Sequence, residues 1–208
     1  MKIIKKQIKK YYQKNFKNKK IIPGKDLIPS SGKVFDEKEL LLGCQAVLDG
    51  WWTEGRFAIQ LEKKLAQFIK VKDCILVNSG SSANLLAVFA LKSVKLGRRR
   101  LKNGDEVITT AVNFPTTVNP IIINNLIPVF VDVDLGTYNV NIESLKKAIS
   151  KKTKAVILAH TLANPFNIKE VLKICRRHNL WLIEDNCDAL GSKYKNQLTG
   201  SFGDLSTL

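Results

Sequence analysis

The chain has 208 residues, of which 45% are hydrophobic, a composition that is typical of globular proteins and excludes a mostly disordered chain. No apolar run approaches the roughly 18 residues that a membrane span needs, and the N-terminus lacks the apolar core of a secretory signal, so a cytoplasmic location is expected. The net charge is +16, and the four cysteines and two histidines do not match a zinc-site spacing.

The first 20 residues contain nine lysines and no acidic residue. Ile4, Ile8, Tyr12 and Phe16 recur at a spacing of four, which predicts an amphipathic helix with a narrow apolar stripe. A basic helix of this kind would contact anionic lipid or nucleic acid, or it would be a solvated helix whose stripe docks on its own protein or on a second subunit. The narrow stripe favours docking, and the segment has no recognised nucleic-acid-binding motif.

An irregular linker is predicted for residues 21–35, because proline and glycine recur there. The residues concerned are Pro23-Gly24, Pro29 and Ser31-Gly32. We therefore expect two parts, residues 1–35 as a basic helix with its linker and residues 36–208 as the main domain.

Two helical patterns open the main domain. Asp36 is expected to cap the first helix, which should end near Gly50. The second follows a turn at residues 53–55, and its predicted apolar face is formed by Phe57, Leu61, Leu65 and Phe68. Trp51 and Trp52 lie between the helices, where they would either contribute to a subunit interface or pack in a core.

Short β-rich runs alternate with helical stretches from residue 73 onward. The strands are predicted at residues 74–79, 106–110, 128–133, 154–160 and 180–185, with a further strand entered at the end of the chain. Helices are predicted at residues 82–93, 116–124, 142–150 and 168–178. Strands that are apolar on both faces and joined by helices predict an α/β three-layer sandwich with a mainly parallel sheet. Cys74 and Cys175 are expected to be buried in it.

Ligands of such sheets bind beyond the carboxyl ends of the strands, so the residues after each strand are candidates for a site. Gly80, Ser81 and Ser82 follow the first predicted strand and open a helix, whose free N–H groups and hydroxyls suit a phosphate. The alternative is an ordinary serine cap after a glycine turn.

An aromatic side chain and a carboxylate follow two other strands. Phe114 would stack on a planar ring, or it would be a core aromatic before a helix that starts at Pro115. Asp185 would hold the protonated nitrogen of such a ring, or it would belong to an acidic loop that pairs with lysines. A phosphate cradle, a stacking face and a carboxylate together describe a site for a pyridoxal-type cofactor.

The segments NSGSSANLLA, NFPTTVNPI, PVFVDVD, LAHTLANPF and EDNCDALGS, in this order, resemble the sugar aminotransferase and dehydrase family of fold-type-I vitamin B6 enzymes (DegT/DnrJ/EryC1/StrS). The resemblance covers roughly residues 34–208. It is closest to the CDP-4-keto-6-deoxyglucose 3-dehydrase branch of lipopolysaccharide synthesis, which AVNFPTTVNP, AHTLANP and Asp188 indicate. The aminotransferase branch usually has glutamine where Asp188 stands.

The resemblance implies pyridoxal or pyridoxamine 5'-phosphate as the cofactor. Gly80, Ser81 and Ser82 would bind the phosphate, Phe114 would stack on the ring, Asp185 would pair with the ring nitrogen, and Asp188 would lie near the ring hydroxyl. The implied substrate is a nucleotide-diphosphate sugar, and the implied assembly is a homodimer with an electron-transfer reductase as partner. His160 matches a family histidine, to which we assign no catalytic role.

The resemblance also implies that the deciding catalytic residue, a histidine in the dehydrase or a lysine in the aminotransferase, follows Leu208. We therefore expect the chain to be the N-terminal part of a longer enzyme, without its last strands and small C-terminal domain. The ligands of the [2Fe-2S] cluster found in cluster-bearing dehydrases would also lie outside it. The alternatives are a 4-keto-sugar aminotransferase and an inactive fragment that at best binds cofactor.

Overall fold

The computed structural model describes residues 2–17, 21–28 and 32–208. Pro29 and Ser31 of the predicted linker lie outside these ranges, and residues 21–28 form irregular turns, as predicted. The chain divides into two compact units, residues 1–61 and 62–208. The domain boundary expected between residues 35 and 36 stays a prediction. None of the helices in the described ranges is both long and apolar enough to cross a membrane.

The first unit contains helix α1 (Lys2–Asn15), helix α2 (Glu37–Leu48) and the start of helix α3 (Arg56–Ile69). Helix α1 packs against α2, and the stripe residues Ile4, Ile8 and Tyr12 are half-buried. The hydroxyl of Tyr12 donates a hydrogen bond of 2.9 Å to the backbone oxygen of Phe35. The stripe therefore docks on the chain itself rather than standing free.

Asp36 caps α2, as predicted, in a capping box with Glu39: the backbone N–H of Asp36 donates to the Glu39 carboxylate at 2.6 Å. The prediction for α3 is partly wrong, because Leu61 and Phe68 are exposed and the buried residues are Ala66 and Ile69. Both sides of α3 carry apolar residues, so periodicity alone did not decide which side finds packing partners.

Trp51 and Trp52 are 65% and 77% exposed, so the interpretation that they pack in a core is wrong. The indole N–H of Trp51 donates a hydrogen bond of 2.6 Å to the backbone oxygen of Glu54. The alternative, a role at a subunit interface, stays a prediction.

Five parallel strands form the sheet of the second unit, in the order β2-β1-β3-β4-β7. Their bounds are Glu106–Thr110 (β1), Ile127–Val131 (β2), Thr153–Ala159 (β3), Trp181–Asp185 (β4) and Leu205–Thr207 (β7). Ala159 and Thr207 both pair with Asp185, so three strands end together beside this carboxylate. Burial on both faces explains why β1, β3 and β4 were predictable from their apolar runs.

Helices cover both faces of the sheet, which confirms the predicted three-layer α/β architecture. Helices α4 (Gly80–Ala90) and α5 (Pro115–Ile123) contact each other, and residues of both share one core cluster with Ile157 of β3 and Ile183 of β4. Residues of α6 (Ile142–Ala148) and α7 (Ile168–His178) share the other core cluster with Leu158 and Leu182 of the same strands. Short 3-10 helices occupy Val94–Arg99 and Thr161–Ala163.

The strand predicted at residues 74–79 is wrong. This segment has no strand assignment, and its apolar residues Ile75 and Leu76 are exposed. A strand forms only beside a hydrogen-bonding neighbour, and no described strand pairs with this segment. Cys74 is consequently half-buried instead of buried.

A small antiparallel hairpin was not predicted. It joins β5 (Lys193–Tyr194) to β6 (Gln197–Leu198), and Lys195 and Asn196 between them both have positive φ angles. The asparagine in this turn is the one signal of a hairpin that the sequence carried.

Candidate cofactor site

Asp185 ends β4 as a buried carboxylate with one well-bonded oxygen. Its Oδ2 accepts hydrogen bonds from Asn84 Nδ2 at 2.9 Å and from the Thr117 hydroxyl at 2.7 Å. Its Oδ1 accepts only a long contact of 3.3 Å from the backbone N–H of Cys187. No lysine or arginine in the described ranges pairs with Asp185, so the predicted alternative of a lysine-paired acidic loop is wrong.

The position of Asn84 is fixed by a third strand. The hydroxyl of Thr207 in β7 donates to Asn84 Oδ1 at 2.6 Å, which leaves the Asn84 amide N–H to donate to Asp185. Sequence reasoning missed Asn84, Thr117 and Thr207, although Thr117 and Asn84 lie one helical turn into α5 and α4. A polar residue at a buried helix position next to a strand end is the signal that would have found them.

The predicted phosphate cradle lies at the amino end of α4. Ser79 caps this helix: its Oγ accepts the N–H of Ser82 at 3.2 Å. The cap residue is thus Ser79, and the N–H groups of Gly80 and Ser81 have no acceptor in the described part of the chain. Two free N–H groups at a helix N-terminus suit an anion.

Gly80 is not required by the backbone itself. Its φ angle is not positive, and a Cβ there would lie 3.7 Å from the Leu208 backbone oxygen, which is an ordinary contact. The place of Gly80 in the cradle therefore depends on its free N–H group and not on its missing side chain.

Phe114 immediately precedes α5 and is 70% exposed, so the interpretation as a core aromatic is wrong. It stands one helical turn before Thr117, whose hydroxyl reaches Asp185. An exposed ring next to a buried carboxylate site is a stacking surface without a partner in the described chain. The amino ends of α4 and α5 therefore both approach Asp185, since Asn84 and Thr117 each lie one turn inside.

Asp188 is exposed and makes no ion pair with any described residue. Its predicted place near a ring hydroxyl stays a prediction. His160 lies on the other face of the sheet from Asp185, buried against Glu184 at 2.9 Å and stacked on Phe166. This geometry agrees with assigning it no catalytic role.

The cysteines do not form a metal centre in the described chain, where no cluster of three His, Cys, Asp or Glu residues is close enough to hold an ion. Cys175 is buried as predicted, and burial raises the pKa of its thiol to about 12, with a contribution from Asp204. The pKa of Cys187 is raised as well, mainly by burial and to a smaller extent by the neighbouring carboxylates Asp185 and Asp188. These thiols are therefore protonated at neutral pH.

The donor set fits a cationic heteroaromatic ring that carries a phosphate. A buried carboxylate that has one oxygen without a short hydrogen bond needs a proton donor or a cation there. A pyridinium N–H is both a proton donor and a cation. The free N–H groups of α4 suit the phosphate, and the exposed Phe114 suits the ring face. These residues are where pyridoxal or pyridoxamine phosphate would be held.

Comparison with known proteins identifies the family of the chain. A model of the DegT/DnrJ/EryC1/StrS aminotransferase family matches residues 35–208. The lipopolysaccharide biosynthesis protein RfbH of Salmonella typhimurium is 53% identical over 97% of this chain and 46% of its own length. The dTDP-4-dehydro-2,6-dideoxy-D-glucose 3-dehydratase of Saccharopolyspora spinosa is 48% identical over 95% of this chain and 43% of its own length.

Two solved structures of a 3-dehydratase are similar to this chain. A variant of GDP-4-keto-6-deoxymannose 3-dehydratase with bound GDP-perosamine superposes with a TM-score of 0.79 at 38% identity, covering 86% of this chain and 46% of that one. A structure of the E. coli enzyme with bound hydrated PLP superposes with a TM-score of 0.77 at 39% identity, covering 84% and 44%. The chain spans a little under half the length of these relatives.

Proposed function

The chain belongs to the DegT/DnrJ/EryC1/StrS aminotransferase family, and we propose that it is the cofactor-binding part of a pyridoxamine or pyridoxal phosphate-dependent 3-dehydratase. The substrate would be a nucleotide-diphosphate 4-keto-6-deoxyhexose, with CDP as the nucleotide that the sequence resemblance implies. The reaction would remove the C3 hydroxyl in deoxysugar synthesis for lipopolysaccharide. The observation that carries this proposal is the buried Asp185, whose Oδ2 is fully hydrogen-bonded and which has no Lys or Arg of the described ranges beside it.

The residues of the chain would bind and orient the cofactor. Asp185 would accept the ring N–H on Oδ1, because Asn84 and Thr117 already occupy Oδ2. Holding that proton would keep the ring electron-poor, and the bound cofactor would supply an amine and an electron-accepting ring. Gly80, Ser81 and Ser82 would fix the phosphate, and Phe114 would cover one ring face.

The dehydratase is favoured over an aminotransferase by the relatives, since RfbH and two 3-dehydratases share more identity with the chain than the aminotransferase neighbours do. The resemblance implies that the catalytic base follows Leu208. We therefore expect that residues 1–208 alone bind cofactor without turnover. A homodimer, with Trp51 and Trp52 at its interface, a reductase partner and a cytoplasmic location belong to the same proposal, and a [2Fe-2S] cluster would lie outside these residues.

Titration of the chain with pyridoxamine phosphate, followed by the change in cofactor absorbance, tests the proposal. We expect saturable binding by the wild-type chain and about ten- to hundredfold weaker binding by Asp185→Asn, which keeps the shape and loses the charge. The matched control is Asp132→Asn, which changes an exposed carboxylate just past the end of another strand of the sheet, β2. No binding by the wild-type chain, or equal binding by Asp185→Asn, would contradict the proposal.

A further inference from the structure

Glu184 is a fully buried carboxylate that the proposed cofactor site does not use. Its Oε1 accepts the backbone N–H groups of Phe202 and Gly203 at 2.8 and 2.7 Å. Its Oε2 accepts the backbone N–H of Gly200 at 2.9 Å and lies 2.9 Å from Nε2 of the equally buried His160. Four partners thus surround one carboxylate, which is the arrangement of an anion-binding nest whose anion is a side chain.

The turn that wraps Glu184 has little freedom to move away. A Cβ at Gly203 would lie 2.7 Å from the backbone oxygen of Leu182, so glycine is required for this close approach to β4. Gly200 has a φ of +83°, and a Cβ there would lie 2.8 Å from the Ser206 hydroxyl. The two glycines let three backbone N–H groups reach Glu184, whose carboxylate is the common acceptor of all three.

The same turn leads directly into β7. This short strand pairs with β4 from Ile183 to Asp185, and its Thr207 hydroxyl orients the amide of Asn84. Asn84 in turn donates to Asp185. A continuous series of contacts therefore runs from Glu184 through the turn at residues 200–203 and β7 to the carboxylate on the opposite face of β4.

We propose that Glu184, held by His160, is a positioning residue for the site on the other face of the sheet. Its carboxylate fixes the turn at residues 200–203, the turn sets the place of β7, and Thr207 thereby aims the Asn84 amide at Asp185. The inference concerns contacts within the chain, so it stands or falls independently of the proposed cofactor. A purely local role would stabilise the turn without reaching Asn84.

Hydrogen exchange of the 15N-labelled chain, followed by NMR, tests the first link. In the wild-type chain we expect the N–H groups of Gly200, Phe202 and Gly203 to exchange at least about a hundredfold more slowly than that of Gly136, a turn glycine whose N–H has no acceptor in the described chain. In Glu184→Gln the side-chain amide points N–H groups at backbone donors, so the three amides should exchange about ten- to hundredfold faster. Glu143→Gln, at an exposed carboxylate, is the control.

The side-chain amide of Asn84 is the readout that separates positioning from local stabilisation. The backbone amide of Val171, buried in α7, reports the global loss of stability in Glu184→Gln. Relative to Val171, we expect the exchange of the Asn84 side-chain amide to accelerate about tenfold further. Unchanged Asn84 exchange, or equal acceleration everywhere, would overturn the proposal.

A second variant keeps the test decisive if Glu184→Gln does not fold. Thr207→Val is nearly isosteric and cuts the last link. We expect it to accelerate Asn84 exchange while Gly200, Phe202 and Gly203 stay protected. An unaffected Asn84, or wild-type turn amides that exchange as fast as Gly136, would also overturn the proposal.

Discussion

Asp185 depends on two hydrogen-bond donors that come from different helices, and the hydroxyl of Thr117 is the shorter of the two contacts at 2.7 Å. Thr117 is fully buried, so water cannot replace the Asp185 carboxylate as the hydrogen-bond acceptor of its hydroxyl. The two carboxylate oxygens of Asp185 are therefore not equivalent. Oδ2 is hydrogen-bonded within the fold, and Oδ1 is available to a ligand. Each donor can be removed separately by a nearly isosteric substitution.

We expect Thr117→Val to lower the free energy of unfolding by about 1–2 kcal/mol and to weaken pyridoxamine phosphate binding about tenfold, because Asp185 Oδ2 loses one of two donors. Urea denaturation and cofactor titration measure the two effects. Thr116→Val is the control, since Thr116 makes no side-chain hydrogen bond with a described residue. Unchanged binding by Thr117→Val would show that the orientation of Asp185 does not depend on this hydroxyl.

Phe114 separates binding from stability, because its ring is 70% exposed and contributes little to the core. We expect Phe114→Ala to change the free energy of unfolding by less than about 0.5 kcal/mol and to weaken pyridoxamine phosphate binding about tenfold through lost stacking. Phe114→Trp should preserve binding. The control is Phe130→Ala, at an exposed aromatic residue of β2; equal affinities for all of these variants would exclude a stacking role for Phe114.

At the scale of elements, strand β4 carries two neighbouring carboxylates with opposite surroundings. Side chains alternate between the faces of a strand, so Glu184 faces the layer of α6 and α7 while Asp185 faces α4 and α5. Glu184 is saturated by partners within the fold, whereas Asp185 keeps one oxygen available. The alternation explains how one pair of adjacent residues serves both the fold and a site.

Helix α7 ends at a residue that can be tested for its own backbone geometry. Asn179 has φ 54° and ψ 41°, the left-handed conformation that favours glycine at the end of a helix. We expect Asn179→Gly to raise the free energy of unfolding by about 0.5 kcal/mol and Asn179→Ala to lower it by about the same amount. Urea denaturation of the three proteins measures this; equal values for the glycine and alanine variants would contradict the geometry.

Elements that are stabilised by residues close in the sequence were predictable, and elements that depend on partners distant in the sequence were not. Helix α7 matches its prediction because its cap, periodicity and end are all encoded within residues 167–179. The segment 74–79 has an equally strong strand composition, but a strand requires a neighbour that composition does not specify. The exposed sides of α3 were unpredictable for the same reason.

The site divides in the same way. Asp185 and Phe114 could be singled out because they lie at or just after the carboxyl ends of β4 and β1, at the edge where parallel sheets bind ligands. Gly80 was singled out from a strand at residues 74–79 that does not form. Asn84, Thr117 and Thr207 were missed, because their hydrogen bonds join residues between 68 and 123 positions apart in the chain. No local pattern records such a contact.

For the whole molecule, the large positive net charge makes stability at low pH depend on the few buried carboxylates. The net charge is +16, and it rises further as carboxylates are protonated, which increases self-repulsion in the folded state. Burial alone would raise the pKa of Glu184, but hydrogen bonds from His160 and from the backbone N–H groups of Gly203 and Gly200 outweigh burial and hold the pKa below its ordinary value of 4.5.

A folded-state pKa below the unfolded value means that ionised Glu184 stabilises the fold at pH values above 4.5 and that this stability is lost as the pH falls through the lowered pKa. We expect Glu184→Gln to unfold with about 2–4 kcal/mol less free energy than the wild type near neutral pH. The difference should shrink steadily below pH 4.5, because protonation removes from the wild type the charge that the variant already lacks.

Urea denaturation of both proteins at a series of pH values from about 7 to about 3 measures this difference. Comparison within the pair removes the general acid destabilisation of the +16 chain, which both proteins share. Glu143→Gln is the matched control, because the pKa of Glu143 is also lowered, by Lys146, but its carboxylate is exposed and its contribution is screened. A difference between wild type and Glu184→Gln that stays constant with pH would mean that the charge of Glu184 does not hold the turn, and that packing alone does.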